Sequence, residues 1–394
     1  TGEHDIITVN IDTKGLENRH YSPSILIYDL SNSITYGFEM DVDILENNNP
    51  KVDFSFVHIT DIHLGAIHEL LIGKNIQMNM EIFVKKILPE IKKCNPEFVL
   101  CTGDIVDSGQ AIEGAVRYDS FRKALSGNGL NVNSNGELTG KWTIKSTDID
   151  IYFCPGNHDA YFNVADLRWA GFDNYKNFIH DKLNYYKTFS IKGHDIKLIS
   201  LNTGMDEEEV IPEDLMPEGQ GLSDDQINFF EDKVSGPEDL KIVLAHHPFV
   251  RFGGGSDGTF NNNKADFINI CNNNDVDLVL SGHTHSGINC PIDRDGDCIS
   301  ASRLVDNNNN EETGLVITDA IFDYPGDDLQ CKIRKIDVYS DGSIEVNDQI
   351  GVKSKTKQKT TDNILNTLLD NHPNILLFLR LLQRLPFFKG YLKS

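Results

Sequence analysis

Five short groups of residues carry the chemistry of this chain: Asp61-Ile62-His63, Gly103-Asp104, Gly156-Asn157-His158-Asp159, His246-His247-Pro248 and Gly282-His283-Thr284-His285. Each sets a carboxylate, an imidazole or an amide oxygen beside a glycine, a proline or the end of an apolar run. Carboxylates and imidazoles together neutralise divalent cations and suit manganese, iron or zinc. Asp61 and His63 are spaced i and i+2, as are His283 and His285, so both members of a pair can point the same way beyond a strand. Asp104 follows a glycine, where the backbone can come close to an ion. Asn157 adds a neutral oxygen. These donors suffice for two ions sharing a bridging position, and two bridged divalent ions point to hydrolysis of a phosphate ester.

Such donors need a frame, and the hydrophobic pattern supplies one. Residues 52–60 predict a strand that runs into Asp61, and 75–94 predict a helix. Further strands are expected at 98–102, 149–154, 197–201, 241–245 and 276–281, and the donor groups follow four of these. Strands alternating with helices imply a parallel or mixed sheet in an α/β domain. Sites in such sheets form past the carboxyl ends of the strands, where these motifs fall. A helix is expected to start at Ser223, with Ser223 as cap and Asp224 and Asp225 at its positive end. Residues 313–317, 329–339 and 344–346 are read as antiparallel strands that close the domain. Residues 1–50 hold β-like runs at 6–11, 24–28 and 33–42 and form a small β-rich N-terminal element. The main domain then covers 51–350, and a basic linker with a helical tail covers 351–394.

The ordered set DxH, GD, GNHD, H and GHxH resembles the calcineurin-like metallophosphoesterase superfamily over about residues 53–290. The resemblance implies an α/β fold, a four-layer αββα sandwich of two mixed sheets flanked by helices, with the site at its edge. It implies two divalent metals, Mn, Fe or Zn. Asp61, His63, Asp104 and His285 would hold the first, and Asn157, His246 and His283 the second, with Asp104 bridging. His158 would be the outer acid or oxyanion stabiliser facing the leaving group, and Asp107 the residue that orients it. The implied reaction is in-line attack of a metal-bridging hydroxide on a phosphate-ester substrate. Protein phosphatases carry arginine where Ser108 follows Asp107, and GNHE where this chain has GNHD. Both departures count against a phosphoprotein phosphatase, and a phosphodiesterase acting on a small or lipid-derived diester is slightly favoured. The alternatives are a monoesterase of nucleotides or phosphoproteins, and, in another class, an inactive scaffold of the same fold. All seven metal-ligand positions and His158 are present, which argues against the scaffold.

Composition bounds the partners. The 394 residues hold 60 acidic and 36 basic side chains, net −24. That charge repels nucleic-acid backbones and argues against a dedicated DNA or RNA binder. Residues 351–394 hold eight of the basic and two of the acidic residues, a net of +6 against −30 for the first 350. The apolar tail around 374–388, with Arg380 and Arg384 four apart, is expected to pack on the domain or to lie on a membrane surface. It leans the reading toward an exported or membrane-associated chain, although no Asn-x-Ser/Thr acceptor occurs. Cys290 and Cys298 flank a polar turn and either close a small hairpin disulfide or stay free. Bridging distance is expected between them, with the other five cysteines reduced. His58 is read as core, His247 as rim more than structural packing, and Asp293, Asp295 and Asp297 as a solvated turn; His68, just past the first motif, is within reach of the rim but is not assigned to it. The Gly253–Gly255 loop is read as a flexible loop that either flanks the substrate or does not.

Overall fold

The computed structural model describes residues 19–21, 24–29, 34–39, 42–44, 51–65, 83–110, 112–161, 171–204, 221–249, 262–285, 287–292, 313–318, 320–321 and 330–353. The chain divides into two compact units, Thr1–Lys51 and Val52–Ser394. The first holds β1 (Arg19–Tyr21), β2 (Ser24–Asp29), β3 (Ile34–Glu39) and β4 (Val42–Ile44). β2 pairs antiparallel with β3, and β1 with β4. The strand expected at 6–11, the tail beyond 353, the 253–255 glycines, His68, Cys298 and the Asp293–Asp297 turn lie outside the described residues.

The second unit opens with β5 (Val52–Ile59), a π-helical turn at Phe83–Ile87, α1 (Leu88–Lys93), β6 (Phe98–Cys101) and α2 (Ile112–Arg122). Then come β7 (Leu125–Gly127), β8 (Trp142–Ile144), β9 (Asp150–Phe153), α3 (Asp173–Phe178), β10 (Tyr185–Ile191), β11 (His194–Leu201) and α4 (Asp224–Val234). The remainder is β12 (Leu240–Ala245), α5 (Lys264–Asn273), β13 (Leu278–Ser281), β14 (Ile288–Ile292), β15 (Thr313–Ile317), β16 (Gln330–Tyr339) and β17 (Ile344–Lys353).

Two mixed sheets result. One has the order β17-β16-β5-β6-β9-β8-β7, the other β10-β11-β12-β13-β15-β14. β5, β6 and β9 run parallel at the centre of the first, and β11, β12, β13 and β15 at the centre of the second. The outer strands pair antiparallel. Alternation along each central strand then builds the layers. Phe54 and Phe56 of β5, Phe98 and Leu100 of β6, and Ile242 and Leu244 of β12 share one core between the sheets. The rings of Phe56 and Phe98 stack there with centroids 5.0 Å apart. Val57, Ile59, Val99 and Cys101 point the other way, onto Ile91 of α1, Phe121 of α2 and Tyr175 of α3. Val243 and Ala245 point away from the shared core onto Phe230 of α4 and Phe267 of α5. Helix, sheet, sheet and helix follow one another, the αββα sandwich implied by the motifs. Strands buried on both faces read as continuous apolar runs, which is why the sequence exposed them.

Two expectations need correction, and a third lies partly outside the described residues: the helix of 75–94 is described only from Phe83, where its first five described residues form a π turn. Pro89 has no N–H to give the carbonyl of Lys85, so the regular i→i−4 ladder cannot run through it. β15 is parallel to β13 and antiparallel to β14, not simply a closing antiparallel strand. All five of its residues are buried, as a central strand requires. β17 continues to Lys353, well past the expected 346. The expected cap of α4 is present: Ser223 and Gln226 form a reciprocal capping box. Among the described residues no helix is long and apolar enough to cross a membrane.

Candidate metal centre

The loops after β5 and β6 run side by side. The N–H groups of Asp61, His63 and Leu64 donate to the carbonyls of Gly103, Asp104 and Ile105 at 2.9–3.1 Å, and Asp107 N–H returns to Leu64 at 3.2 Å. Ile62 packs into the helix-covered core while Asp61 and His63 face away from it. Two glycines allow the neighbouring loop to close in. A Cβ on Gly103 would sit 2.5 Å from Gly156 N, and one on Gly156 would sit 2.2 Å from Asp104 Oδ1. Asp61, His63, Asp104, His283 and His285 all have φ between 47° and 65°. They are five of the ten described non-glycine residues with positive φ, and each costs roughly 1–3 kcal/mol. Strain gathered on one set of donors marks a site held in shape by what surrounds it.

The donors fall into two sets. In the first, His285 Nε2 lies 3.2 Å from Asp61 Oδ1 and 3.2 Å from His63 Nε2, and His63 Nε2 lies 3.7 Å from Asp104 Oδ2. In the second, Asn157 Oδ1 lies 3.0 Å from His246 Nε2 and 3.1 Å from His283 Nδ1. His246 Nε2 is also 3.2 Å from Asp104 Oδ2. One carboxylate oxygen, Asp104 Oδ2, therefore faces both sets. Surrounding groups fix how each donor points. Asn157 donates its amide N–H to Tyr161 at 2.6 Å, which turns its oxygen inward. His246 donates Nδ1–H to the Thr102 carbonyl at 2.5 Å, which turns Nε2 inward. Asp61, Asp104, Asn157 and His246 are at most 1% exposed.

Charge is balanced among these groups. Burial opposes ionisation of Asp104, but His246 and His158 beside it hold its carboxyl down at about 2. Burial works against a charge on His246, yet Asp104 and Asp61 raise it to about 9. Burial likewise opposes ionisation of Asp61, which His285 and His63 hold well below the usual range. Burial and then His246 push His283 down to about 4. Buried oxygens and ring nitrogens 3.0–3.7 Å apart are spaced as ligands around an ion with bonds of about 2.0–2.2 Å, so the donor set fits divalent metals.

His158 stands beside these sets and is part-buried, whereas Asp61, Asp104, Asn157 and His246 are buried. Its backbone N–H donates to Asp104 Oδ1 at 2.8 Å. Its Nδ1 lies 2.8 Å from the Asp107 carbonyl and 3.5 Å from the Asp107 carboxylate. Burial opposes the charge on Asp107, but His158 and His63 hold its carboxyl far below the usual range.

The motifs did not reveal everything that shapes the site. Asp159 is fully buried and ties the loops together. Its Oδ1 accepts from Tyr118 Oη (2.6 Å), Ile105 N–H (3.1 Å) and Val106 N–H (3.4 Å), and its Oδ2 from Gly156 N–H (2.9 Å). Burial and the nearby Asp104 raise its pKa to about 6. Its place in GNHD was the visible signal, while nothing in the sequence singled out Tyr118. His58 is core as expected, bracketed by Thr102 and Thr318 hydroxyls. His247 corrects the rim reading: it is fully buried. Cys290 is disulfide-bonded, and Cys94, Cys101, Cys154 and Cys271 are free.

Residues 54–287, more than half of the chain, match the calcineurin-like phosphoesterase family model. A probable glycerophosphodiester phosphodiesterase GpdQ from Arcobacter nitrofigilis is 24% identical over 198 residues, covering 50% of this chain and 58% of that protein. This chain thus spans little more than half the length of that curated relative. Among solved structures, GAP50, the anchor in the inner membrane complex of Plasmodium, is 14% identical with a TM-score of 0.41, over 80% of this chain and 94% of that one. Purple acid phosphatase PPD1 from yellow lupin (Lupinus luteus) seeds is 15% identical with a TM-score of 0.45, over 87% and 63%. The matched span contains every donor group described above, and the chain belongs to the calcineurin-like phosphoesterases, hydrolases of phosphoric esters.

Proposed function

We propose that this chain is a dinuclear metal-dependent phosphodiesterase acting on a small or lipid-derived diester of the glycerophosphodiester type. The observation that carries the two-metal part is the position of Asp104, whose Oδ2 faces both sets of donors. Asp61, His63 and His285 would complete the first centre, and Asn157, His246 and His283 the second. Two divalent ions there would supply a nucleophile at neutral pH and neutralise the phosphoryl oxygens.

The chain's own groups do the rest. Asp104 holds the two sets in register and also fixes His158 through its backbone N–H. Asp107 engages Nδ1 of His158, so a proton would be delivered to the leaving oxygen from Nε2. The diester preference is supported by the name of the Arcobacter relative, while Ser108 in place of an arginine and GNHD in place of GNHE count against a phosphoprotein phosphatase.

A hydrolysis panel on the Mn-loaded full chain tests the reading, with bis(p-nitrophenyl) phosphate, p-nitrophenyl phosphate, glycerophosphodiesters, cyclic nucleotides and nucleotides. The diesters, glycerophosphodiesters among them, are expected to show the highest kcat/KM. Faster turnover of the monoesters would replace this reading with a monoesterase.

A further inference from the structure

The proposed function leaves His247 without a role. It follows His246 beyond the end of β12 and is fully buried. Its backbone N–H donates to Thr203 Oγ1 at 3.1 Å, and its Nδ1 lies 2.9 Å from the same hydroxyl. Thr203, just past the end of β11, thus fixes the ring from one side. A hydroxyl oxygen has two lone pairs and can accept both N–H groups, which leaves the lone pair of the ring on Nε2. That Nε2 is buried and has no hydrogen-bond partner among the described residues. An imidazole nitrogen left this way loses the hydration it had in the unfolded chain and gains nothing in exchange.

The ring also sits in a telling place. Its centroid is 4.4 Å from that of His283 and 4.9 Å from that of His246. Ligand-capable atoms of His246, His247 and His283 all lie within 4.8 Å of one another. Two donors on one ion, each at about 2.1 Å, can be no more than about 4.2 Å apart, so small ring rotations bring all three onto a common centre.

We infer that His247 is a further donor to the second metal, through Nε2, beside Asp104, Asn157, His246 and His283. The inference rests on the two-metal reading. It also carries a consequence for metal choice. Five protein donors plus the shared bridging position make a six-coordinate centre, which manganese and iron accept more readily than zinc, whose sites are mostly four-coordinate.

The test is a calorimetric titration of the metal-free full chain with Mn²⁺ and, separately, Zn²⁺. It compares the wild type with His247→Phe, Thr203→Val and His283→Ala. His283→Ala is expected to lose the second ion, which fixes the assignment of that binding step. His247→Phe should keep the first ion and bind the second about 10–100-fold more weakly, with the larger loss for Mn²⁺. Thr203→Val keeps the ring but removes its anchor and should weaken the same step less. If His283→Ala loses the second ion while His247→Phe binds both as the wild type does, His247 is packing and the inference is overturned. If His247→Phe does not fold, Thr203→Val decides, and an unchanged second step overturns the inference. Fewer than two ions on the wild type would overturn the two-metal reading itself, and retention of two by His283→Ala would overturn the place of His283 in the second site.

Discussion

At the scale of single residues, His158 and the donors separate cleanly by what they touch. His158 is tied to Asp104 by its backbone and to Asp107 by its ring, and is part-buried where Asp61, Asp104, Asn157 and His246 are buried. His158→Ala should therefore keep the metals and slow hydrolysis by roughly 10²–10⁴-fold, as for a removed general acid. Steady-state rates on diesters of graded leaving-group pKa check this. The loss should shrink for nitrophenol and grow for alkoxides, and an equal loss across the series would assign His158 to charge stabilisation instead. Two other histidines act on stability. Burial holds His58 neutral down to about 3, and His180, also buried, down to about 4. In the unfolded chain both bind a proton near pH 6.5, so the folded state binds fewer protons in between. Their contribution is full above about 6.5 and is lost as pH falls toward 4 and 3. Denaturant unfolding of the metal-free chain should show stability dropping through that window by an amount on the order of a few kcal/mol. The drop should be smaller in His58→Gln.

At the scale of elements, the site is made where loops cross, and Asp159 joins them. It accepts from the loop after β6, from the turn after β9 and from Tyr118 on α2. Asp159→Asn puts a donor where at least one N–H now points and should cost about 1–3 kcal/mol by thermal unfolding. Metal content should fall with it, since Gly156 and Asp104 lose their common support. Unchanged stability and metal content would show that the loops hold themselves. This level was only partly legible in the sequence. The donors and the strands that deliver them could be read, because strands buried on both faces are continuous apolar runs and the ligand types repeat at fixed spacing. The strands β7, β8, β10 and β14 were not read: they are edge or near-edge strands of mixed polarity, and their pairing depends on partners distant in sequence. Tyr118 was hidden for a similar reason, since a buried tyrosine on a helix looks like core until the carboxylate it meets is known. His247 was assigned to the rim because its neighbour His246 was a ligand, and nothing local announced Thr203 as its anchor.

At the scale of the whole molecule, the two sheets pack through one aromatic and aliphatic core, and the carboxyl ends of their central strands deliver the two sets of donors. β5, β6 and β9 of one sheet bring Asp61, His63, Asp104 and Asn157, while β12 and β13 of the other bring His246, His283 and His285. If Asp104 bridges two ions as proposed, donors from both sheets would tie metal binding to the integrity of the sandwich. With a net charge of −24, such ions would supply positive charge for an anionic substrate. The most direct test of the account is the metal-to-protein ratio of the full chain after saturation with Mn²⁺ and removal of excess, measured on the wild type and on Asp104→Asn. The account predicts two ions per wild-type chain, and fewer than two together with loss of diester hydrolysis in the variant. A wild-type chain that holds one ion or none, or an Asp104→Asn chain that holds two and remains fully active, would contradict it.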